Sequence, residues 1–477
     1  MMVIFGIINL LRLLFFFILS LFLFPFFRNK SIYFFLKLSG PTFIKLGQLL
    51  SNRPDLVGDD LAEILSGFQD RLPGFSFKKA KKIIEEESGK KLDQLFLEFK
   101  AKPVASASVA QVHKAKTFAG DIVAVKILRP HIATIVRRDV STLKIIAFLF
   151  GFVSKYSKEK FLNIAELLED CSKKELDLSF EAAAASEMKD KLKDVKGFYI
   201  PKVYWQLSTP KILVLEWIDG IPFSDKKAIL SSGFDRKEIA KNLVISYFNQ
   251  VYVHGLFHAD MHLGNLFLMK NGDIAAVDFG ITGSIDKKTR IAIAEILMSF
   301  LKQDYARVAK LHIDAGLVPK NINLEEFTLS CRIIGESVVG RSVNEISMAK
   351  LLANLLKMTK RYQLKTRPEL LLLQKTMMLV EGVGVFLDKN LNIWDLAKPF
   401  VKEWATQNIG FDAKIRDVVL EFMQMVKKMP ENFSKNNQMN FDQLNQEIKE
   451  MKLREKKWKI AFVFLSALLI LSLFIRG

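Results

Sequence analysis

Between Phe257 and Gly280 the chain reads FHADMHLGNLFLMKNGDIAAVDFG, gathering His258, Asp260, His262 and Asn265 before ending on Asp278-Phe279-Gly280. Residues of these types support two chemistries. One is a hydrolytic metal centre made of His258, Asp260 and His262, because imidazole and carboxylate together suit a transition metal. The other is oxygen-only ligation of Mg²⁺, in which a carboxylate and an amide oxygen share one divalent cation. Asn271-Gly272, set between LFLMK and DIAAV, is a strong signal for a hairpin with a two-residue turn. That turn pairs Lys270 with Asp273, and the same register sets Asn265 opposite Asp278, with Cβ atoms roughly 5 Å apart. Asn265 and Asp278 are therefore the expected metal ligands, and Asp260 sits in the loop that enters the hairpin. No second His/Asp cluster completes the hydrolytic alternative, and His258 and His262 read as hydrogen-bonding braces of the loop.

D-x-x-x-x-N followed by D-F-G is the phosphoryl-transfer constellation of protein kinases, with Asp260 at the catalytic-loop position. Such a site needs a lysine on a strand. VAVK supplies Lys126, and Val123, Val125 and Ile127 form the other face. A carboxylate partner is expected in ELDLSFEAAAAS. Read as one helix, Asp177 and Glu181 share a face, while Glu175 points about 120° away from Glu181. Glu175 and Glu181 should then have different partners. Upstream, where a kinase carries its glycine-rich loop, stands PVASASVAQVH, without glycine. Small Ala and Ser side chains still let backbone N–H groups approach phosphates. The expected nucleotide-binding set is Val104, Ala105, Ser106, Ala107, Ser108, Val109, Ala110, Gln111 and Val112, with Lys126, Glu181, and Glu216 at the end of the ILVLE strand.

The elements that must position these groups change character along the chain. Lys78–Glu98 reads as charged, amphipathic helices within a helical extension over 28–101, followed by a mixed lobe with strands over 102–218 and a mostly helical lobe over 219–429. Gly255 ends a helix over Lys237–His254 and opens the catalytic loop. This order predicts an α+β, two-lobe architecture with a cleft between the lobes. Residues 430–457, rich in Asn and Gln, read as a linker. Residues 1–27 and 458–477 are apolar. Arg12 and Pro25 make the first an interfacial helix as readily as a transmembrane one. The second, behind Lys452, Arg454, Lys456, Lys457 and Lys459, reads as a short transmembrane anchor. Basic residues on the body side of both segments place the body in the cytoplasm, at the inner membrane.

The net charge of +19 over 477 residues invites a nucleic-acid reading. No nucleic-acid module accompanies it, and the lysines spread along helical patterns. Forty phenylalanines and a positive mean hydropathy point to lipid, and a basic surface suits anionic lipids. Two cysteines, Cys171 and Cys331, exclude a disulfide framework.

Taken together, KLGQLLSNRPDL (Lys45–Leu56), VASASVAQVH, VAVK, ELD, HADMHLGN and VDFG resemble the UbiB-type atypical kinases, the group associated with ubiquinone biosynthesis. The motifs stand in family order over Phe43 to about Gly283. The resemblance implies a kinase-like fold with an N-terminal helical extension lying over the site. Lys45 and Gln48 fall on its K-x-G-Q motif and Glu175 and Asp177 on its acidic E-x-D pair, two elements that meet in the family. Glu175 is then expected to face Lys45, and Glu181 to face Lys126. The implied cofactors are ATP and Mg²⁺. The implied partners are anionic membrane lipids, prenylated phenolic quinone precursors and other quinone biosynthesis enzymes. Ser106 departs from the family's Ala or Gly, and Ala184 from its common Asn. Three functions compete: a membrane-anchored Mg-dependent ATPase, a phosphotransferase acting on a small molecule or lipid, and a pseudokinase scaffold.

Overall fold

The computed structural model describes residues 2–23, 28–51, 59–65, 73–151, 155–319, 321–339, 354 and 367–409. The expected linker and C-terminal anchor lie outside the described residues. Helices α1 (Met2–Leu23), α2 (Arg28–Ser39), α3 (Pro41–Ser51) and α4 (Asp59–Leu65) open the chain. The first lobe follows as α5 (Phe77–Ser88), α6 (Leu92–Leu95), β1 (Glu98–Phe99), β2 (Ala105–Ser106), β3 (Ala110–Lys116), β4 (Ile122–Leu128), α7 (Ile132–Gly151), α8 (Lys155–Glu175), α9 (Leu178–Leu192), β5 (Phe198–Tyr199) and β6 (Ile212–Glu216). The second lobe carries β7 (Gly220–Pro222), α10 (Lys226–Leu230), α11 (Arg236–Phe248), β8 (Leu256–His258), β9 (Leu266–Met269), β10 (Ile274–Ala276) and β11 (Thr282–Ser284). It continues through α12 (Lys287–Leu301), α13 (Tyr305–Asp314), α14 (Leu324–Val339), α15 (Pro368–Leu387) and α16 (Ile393–Ile409).

The first lobe is an antiparallel sheet in the order β1-β3-β4-β6, with β2 also on β3. The alternation in IVAVKIL decides which face is core. Val123, Val125 and Ile127 are fully buried against Ile212 and Val214 of β6, Ala115 of β3, and Ala80 and Ile84 of α5. Burying each Val or Ile contributes roughly 1.5–3 kcal/mol. Helix α5 and strand β1, expected in the extension that ended at residue 101, thus belong to the core of this sheet. The amphipathic pattern of FKKAKKIIEEES told that the helix packs, but not on what.

Strands β10, β9 and β7 of the second lobe form one sheet, which β5 of the first lobe joins in parallel with β10, and β11 pairs with β8. Helix α15 packs on α11 and β11, and the Tyr247 hydroxyl donates to the Leu373 carbonyl at 3.0 Å. By length and composition it is the one described helix able to cross a membrane, yet 44% of its apolar window is buried in the body. Helix α1 lies on α2 and α7. Asn9 Nδ2 donates to Asp139 Oδ1 and Thr142 Oγ1 of α7, and Arg12 donates to the Ser39 carbonyl. Leu11, Leu14, Phe15, Ile18 and Phe22 face outward. That is the reverse of a surface helix in water, which turns its polar stripe out.

Candidate active site

With one face of β4 committed to the core, Lys126 emerges on the other. Its Nζ donates to both Glu181 oxygens at 2.8 Å and to Asp278 Oδ1 at 3.1 Å. Glu181 is buried in the first turn of α9, and Asp278 comes from the second lobe, about half exposed. Burial pushes the Glu181 carboxyl up to about 7, against the pull of Lys126. Lys126 holds the Asp278 carboxyl well below the usual carboxylate range. Desolvation works against the Lys126 ammonium, but Asp278 and Glu181 outweigh it and raise its pKa above that of an ordinary lysine. At neutral pH the site therefore presents an ammonium beside an ionised Asp278.

Glu175 faces elsewhere. Lys45 Nζ of α3 lies 2.6 Å from Glu175 Oε1. The expected single helix across ELDLSFEA is corrected: α8 ends at Glu175, and Asp177 is the N-cap of α9, accepting from the Ser179 N–H at 2.9 Å. The adjacent Leu178 N–H leaves for the Pro210 carbonyl. An N-cap has non-helical backbone, so the break at Leu176–Asp177 is what separates the directions of Glu175 and Glu181. The Asp177 carboxylate thus has a capping role. Thr42, Lys45, Val109, Ser172 and Glu175 line a small cavity that joins α3, α8 and the Ala-rich turn. Gln48 lies one turn along α3 from Lys45, partly buried.

The hairpin keeps its turn but not the expected register. Leu266 pairs with Ala276, Phe267 with Ala275 and Leu268 with Ile274. The loop holds Lys270, Asn271 and Gly272, with the Met269 N–H donating to the Asp273 carbonyl and Gly272 left-handed at φ 87°. The third loop residue moves Asn265 opposite Val277, whose N–H donates to the Asn265 carbonyl at 2.9 Å. Asp278 is the next residue, at φ 64°, a left-handed conformation that is uncommon outside glycine. There the chain turns out of the ladder, and its carboxylate reaches Lys126. Asn265 is buried, and its Nδ2 donates to the Asp260 carbonyl at 3.1 Å, so Oδ1 is the atom that could ligate a cation. One carboxylate and one amide oxygen suit Mg²⁺, which retains waters for its other positions.

Asp260 is held from three sides. Its N–H donates to His258 Nδ1 at 3.1 Å, and its Oδ2 is 3.7 Å from His262 Nε2. Its Oδ1 accepts from Lys375 Nζ of α15 at 3.0 Å. His258 Nε2 donates to the Val277 carbonyl at 3.1 Å, so both ring nitrogens are engaged and the ring is neutral. Burial lowers its pKa. His262 Nδ1 accepts from the Gly264 N–H. Both histidines brace the loop. Among the described residues no group of three His, Cys, Asp or Glu side chains converges on a metal position.

The Ala-rich segment is a hairpin closed between Ala107 and Ala110. Arg129 pins it, donating to the Ala107 carbonyl, to Ser106 Oγ and to the Pro73 carbonyl. Ser106, the departure from the family pattern, is thus a contact of that arginine. Ser108 is buried, and its hydroxyl has no hydrogen-bond partner among the described residues, as expected of a donor set for an external acceptor. Within the turn, Ser108 and Val109 stand outside the ladder. Gln111 points inward, accepting from the Phe75 N–H and bonding His113, while Val104 lies exposed at the far end and Ala105, Ala110 and Val112 form the ladder. Glu216 is held by residues of the fold itself. Its carboxylate accepts from the Tyr199 hydroxyl at 2.7 and 2.9 Å and from the Lys202 N–H. A strand-end glutamate gives no sequence cue to that linkage. Lys375 and Arg129 are the site residues that sequence reasoning passed over. The cue was present for Lys375, a lone cation in PELLLLQKTMMLV.

Residues 67–312 match the ABC1 atypical kinase-like domain, and residues 331–392 match the UbiB helical domain. A protein named "Probable protein kinase UbiB" from Pseudomonas aeruginosa (strain LESB58) is 38% identical over 398 residues, 82% of this chain and 74% of that protein. The same-named protein of Azotobacter vinelandii is 37% identical over 393 residues, 81% of this chain and 73% of that one. Among solved structures, an erythromycin complex of Rv3197 from Mycobacterium tuberculosis matches at 24% identity and TM-score 0.49, over 74% of this chain and 90% of that one. The two-lobe α+β architecture is kinase-like, and the chain belongs to the UbiB family of ABC1 atypical kinase-like proteins.

Proposed function

We propose that this protein is a membrane-associated, Mg-dependent ATPase of atypical kinase fold that supports ubiquinone biosynthesis. The observation that carries the proposal is the position of Lys126, between a buried glutamate of its own lobe and Asp278 of the other. A lysine so placed is set to hold the α- and β-phosphates where the lobes meet. Asn265 Oδ1 and Asp278 would hold Mg²⁺, which when bound neutralises phosphate charge. Ser108 and the Ala107–Val109 backbone would face the phosphates. Asp260 would orient the nucleophile, and the Lys45–Glu175 pair would close the mouth of the site, where a larger acceptor would otherwise enter.

The outward apolar face of α1 and the net positive charge support work at an anionic membrane surface, with the body on the cytoplasmic side. Prenylated phenolic quinone precursors, which reside in the bilayer, are the proposed clients. The test is MgATP hydrolysis by the full chain, with and without anionic liposomes and a soluble phenol. Turnover should rise with both, and the liposome effect should weaken with salt, since it is screened within about 8–10 Å. Turnover unaffected by either, together with phosphate transfer to a small hydroxyl compound, would replace the proposal with the phosphotransferase reading. Nucleotide binding without turnover would leave the scaffold reading.

A further inference from the structure

Phosphoryl transfer leaves little covalent work for a protein, and its catalysis rests on positioning and on charge. Yet HADMHLGN contains no lysine or arginine, and Lys126 is committed between Glu181 and Asp278. The ammonium that meets Asp260 comes from 115 residues away. Lys375 Nζ lies 3.0 Å from Asp260 Oδ1, with the side chain about one-third exposed. Its helix is held firmly. Leu373 accepts the Tyr247 hydroxyl through its carbonyl, Thr376 and Met377 are buried, and Arg367 before the first turn donates to Thr289 Oγ1 at 3.1 Å. Holding a lysine in one geometry costs side-chain entropy, and exposed pairs seldom return it. Here the lysine ties two parts of the fold, the catalytic loop and the helical domain that follows the kinase-like domain.

We infer that Lys375 is a positioning residue for Asp260: it holds Oδ1 and so directs Oδ2 toward the nucleophile, making the helical domain part of the reaction machinery. This rests on the proposed nucleotide-dependent activity. The test uses the full chain in detergent or nanodiscs, measuring kcat and KM for MgATP hydrolysis and nucleotide-free melting temperature. Lys375→Met should lower kcat by about 10- to 100-fold, with KM for MgATP changed less than about threefold. Lys375→Arg, which keeps the charge and reach, should recover most of the loss. In an Asp260→Asn background, Lys375→Met should cost less than about twofold more, because residues that act as one unit are not additive. A merely structural role would lower the Asp260→Asn enzyme by the same factor as the wild type, and that result overturns the inference. So does a wild-type kcat in Lys375→Met. Should Lys375→Met fail to fold, Lys375→Gln carries the same measurements. Wild-type protein that is not stabilised by MgATP overturns the nucleotide reading and this inference with it. Stabilisation without turnover overturns this inference alone.

Discussion

Two lysine–glutamate pairs flank one cleft. Lys126–Glu181 closes at 2.8 Å and Lys45–Glu175 at 2.6 Å, and all four side chains are largely buried. Distance and burial do not tell them apart. Their place in the fold does. Lys126 also meets Asp278 of the opposite lobe, so its charge is shared between carboxylates of the two lobes. Lys45 joins the N-terminal extension to the end of α8 beside a small cavity. Removing either lysine leaves a partly buried carboxylate, at a typical cost of about 3–5 kcal/mol for a fully buried pair. Only at Lys126 should nucleotide binding vanish as well.

Lys126→Met carries the largest expected effect. MgATP-dependent thermal stabilisation should disappear, and hydrolysis should fall about 10³-fold. Asp278→Asn comes next. Asn265 offers one neutral oxygen, so MgATP affinity should fall by about 100-fold, at the upper end of what even outer-shell partners of a metal carry. Isothermal titration with and without Mg²⁺ checks it, and unchanged affinity would remove the Asn265/Asp278 metal pair. Lys45→Ala should keep nucleotide binding while hydrolysis shifts by about fivefold or more, or autophosphorylation appears, as mass spectrometry would register. If Lys45→Ala instead abolishes binding as fully as Lys126→Met, the contrast between the pairs collapses and Lys45 is a phosphate ligand.

A fourth expectation concerns pH. The folded-state pKa of His258 lies below its ordinary value of 6.5, because the ring is buried neutral. The unfolded chain therefore binds the proton first as pH falls. The stability His258 contributes is present above about pH 6.5 and is lost as pH falls toward its folded pKa, by at most about 1.4 kcal/mol per pH unit. His113 and His312 are lowered in the same sense, so His258→Gln should flatten the melting-temperature slope between pH 7 and 5 without abolishing it. The smallest effect sharpens the division between the pairs. Asp177→Ala should cost about 1 kcal/mol as a lost N-cap and change hydrolysis little. A loss of activity comparable to that of Lys45→Ala would return Asp177 to the site.

Much of the site is legible because it is encoded at short range. Alternation in VAVK puts Lys126 on the face away from the core, and D-x-x-x-x-N with D-F-G needs only one loop and one hairpin. Errors arose where two local solutions compete. Asn-Gly serves a two-residue turn or a three-residue turn with Gly272 left-handed, and the difference moved Asn265 from Asp278 to Val277. Asp177 reads as a polar face of a continuous helix, although an Asp before an apolar stretch with Glu181 in the first turn is also a helix-start signal. Lys375 and Arg129 act over tertiary distances that no periodicity encodes. Likewise, the amphipathic reading of α5 could not state that its partner was the sheet.

Lys375 has a further consequence, for biosynthesis. Helix α15 spans 20 residues and is apolar enough for machinery that sorts nascent helices by hydrophobicity to treat it as a membrane segment. Its lysine lies within one turn of the helix midpoint. A lysine near the centre of a translocating helix raises the cost of insertion by about 2.5–3.5 kcal/mol. The side chain that ties α15 to Asp260 in the finished protein thus also opposes partition of this helix into a bilayer before folding.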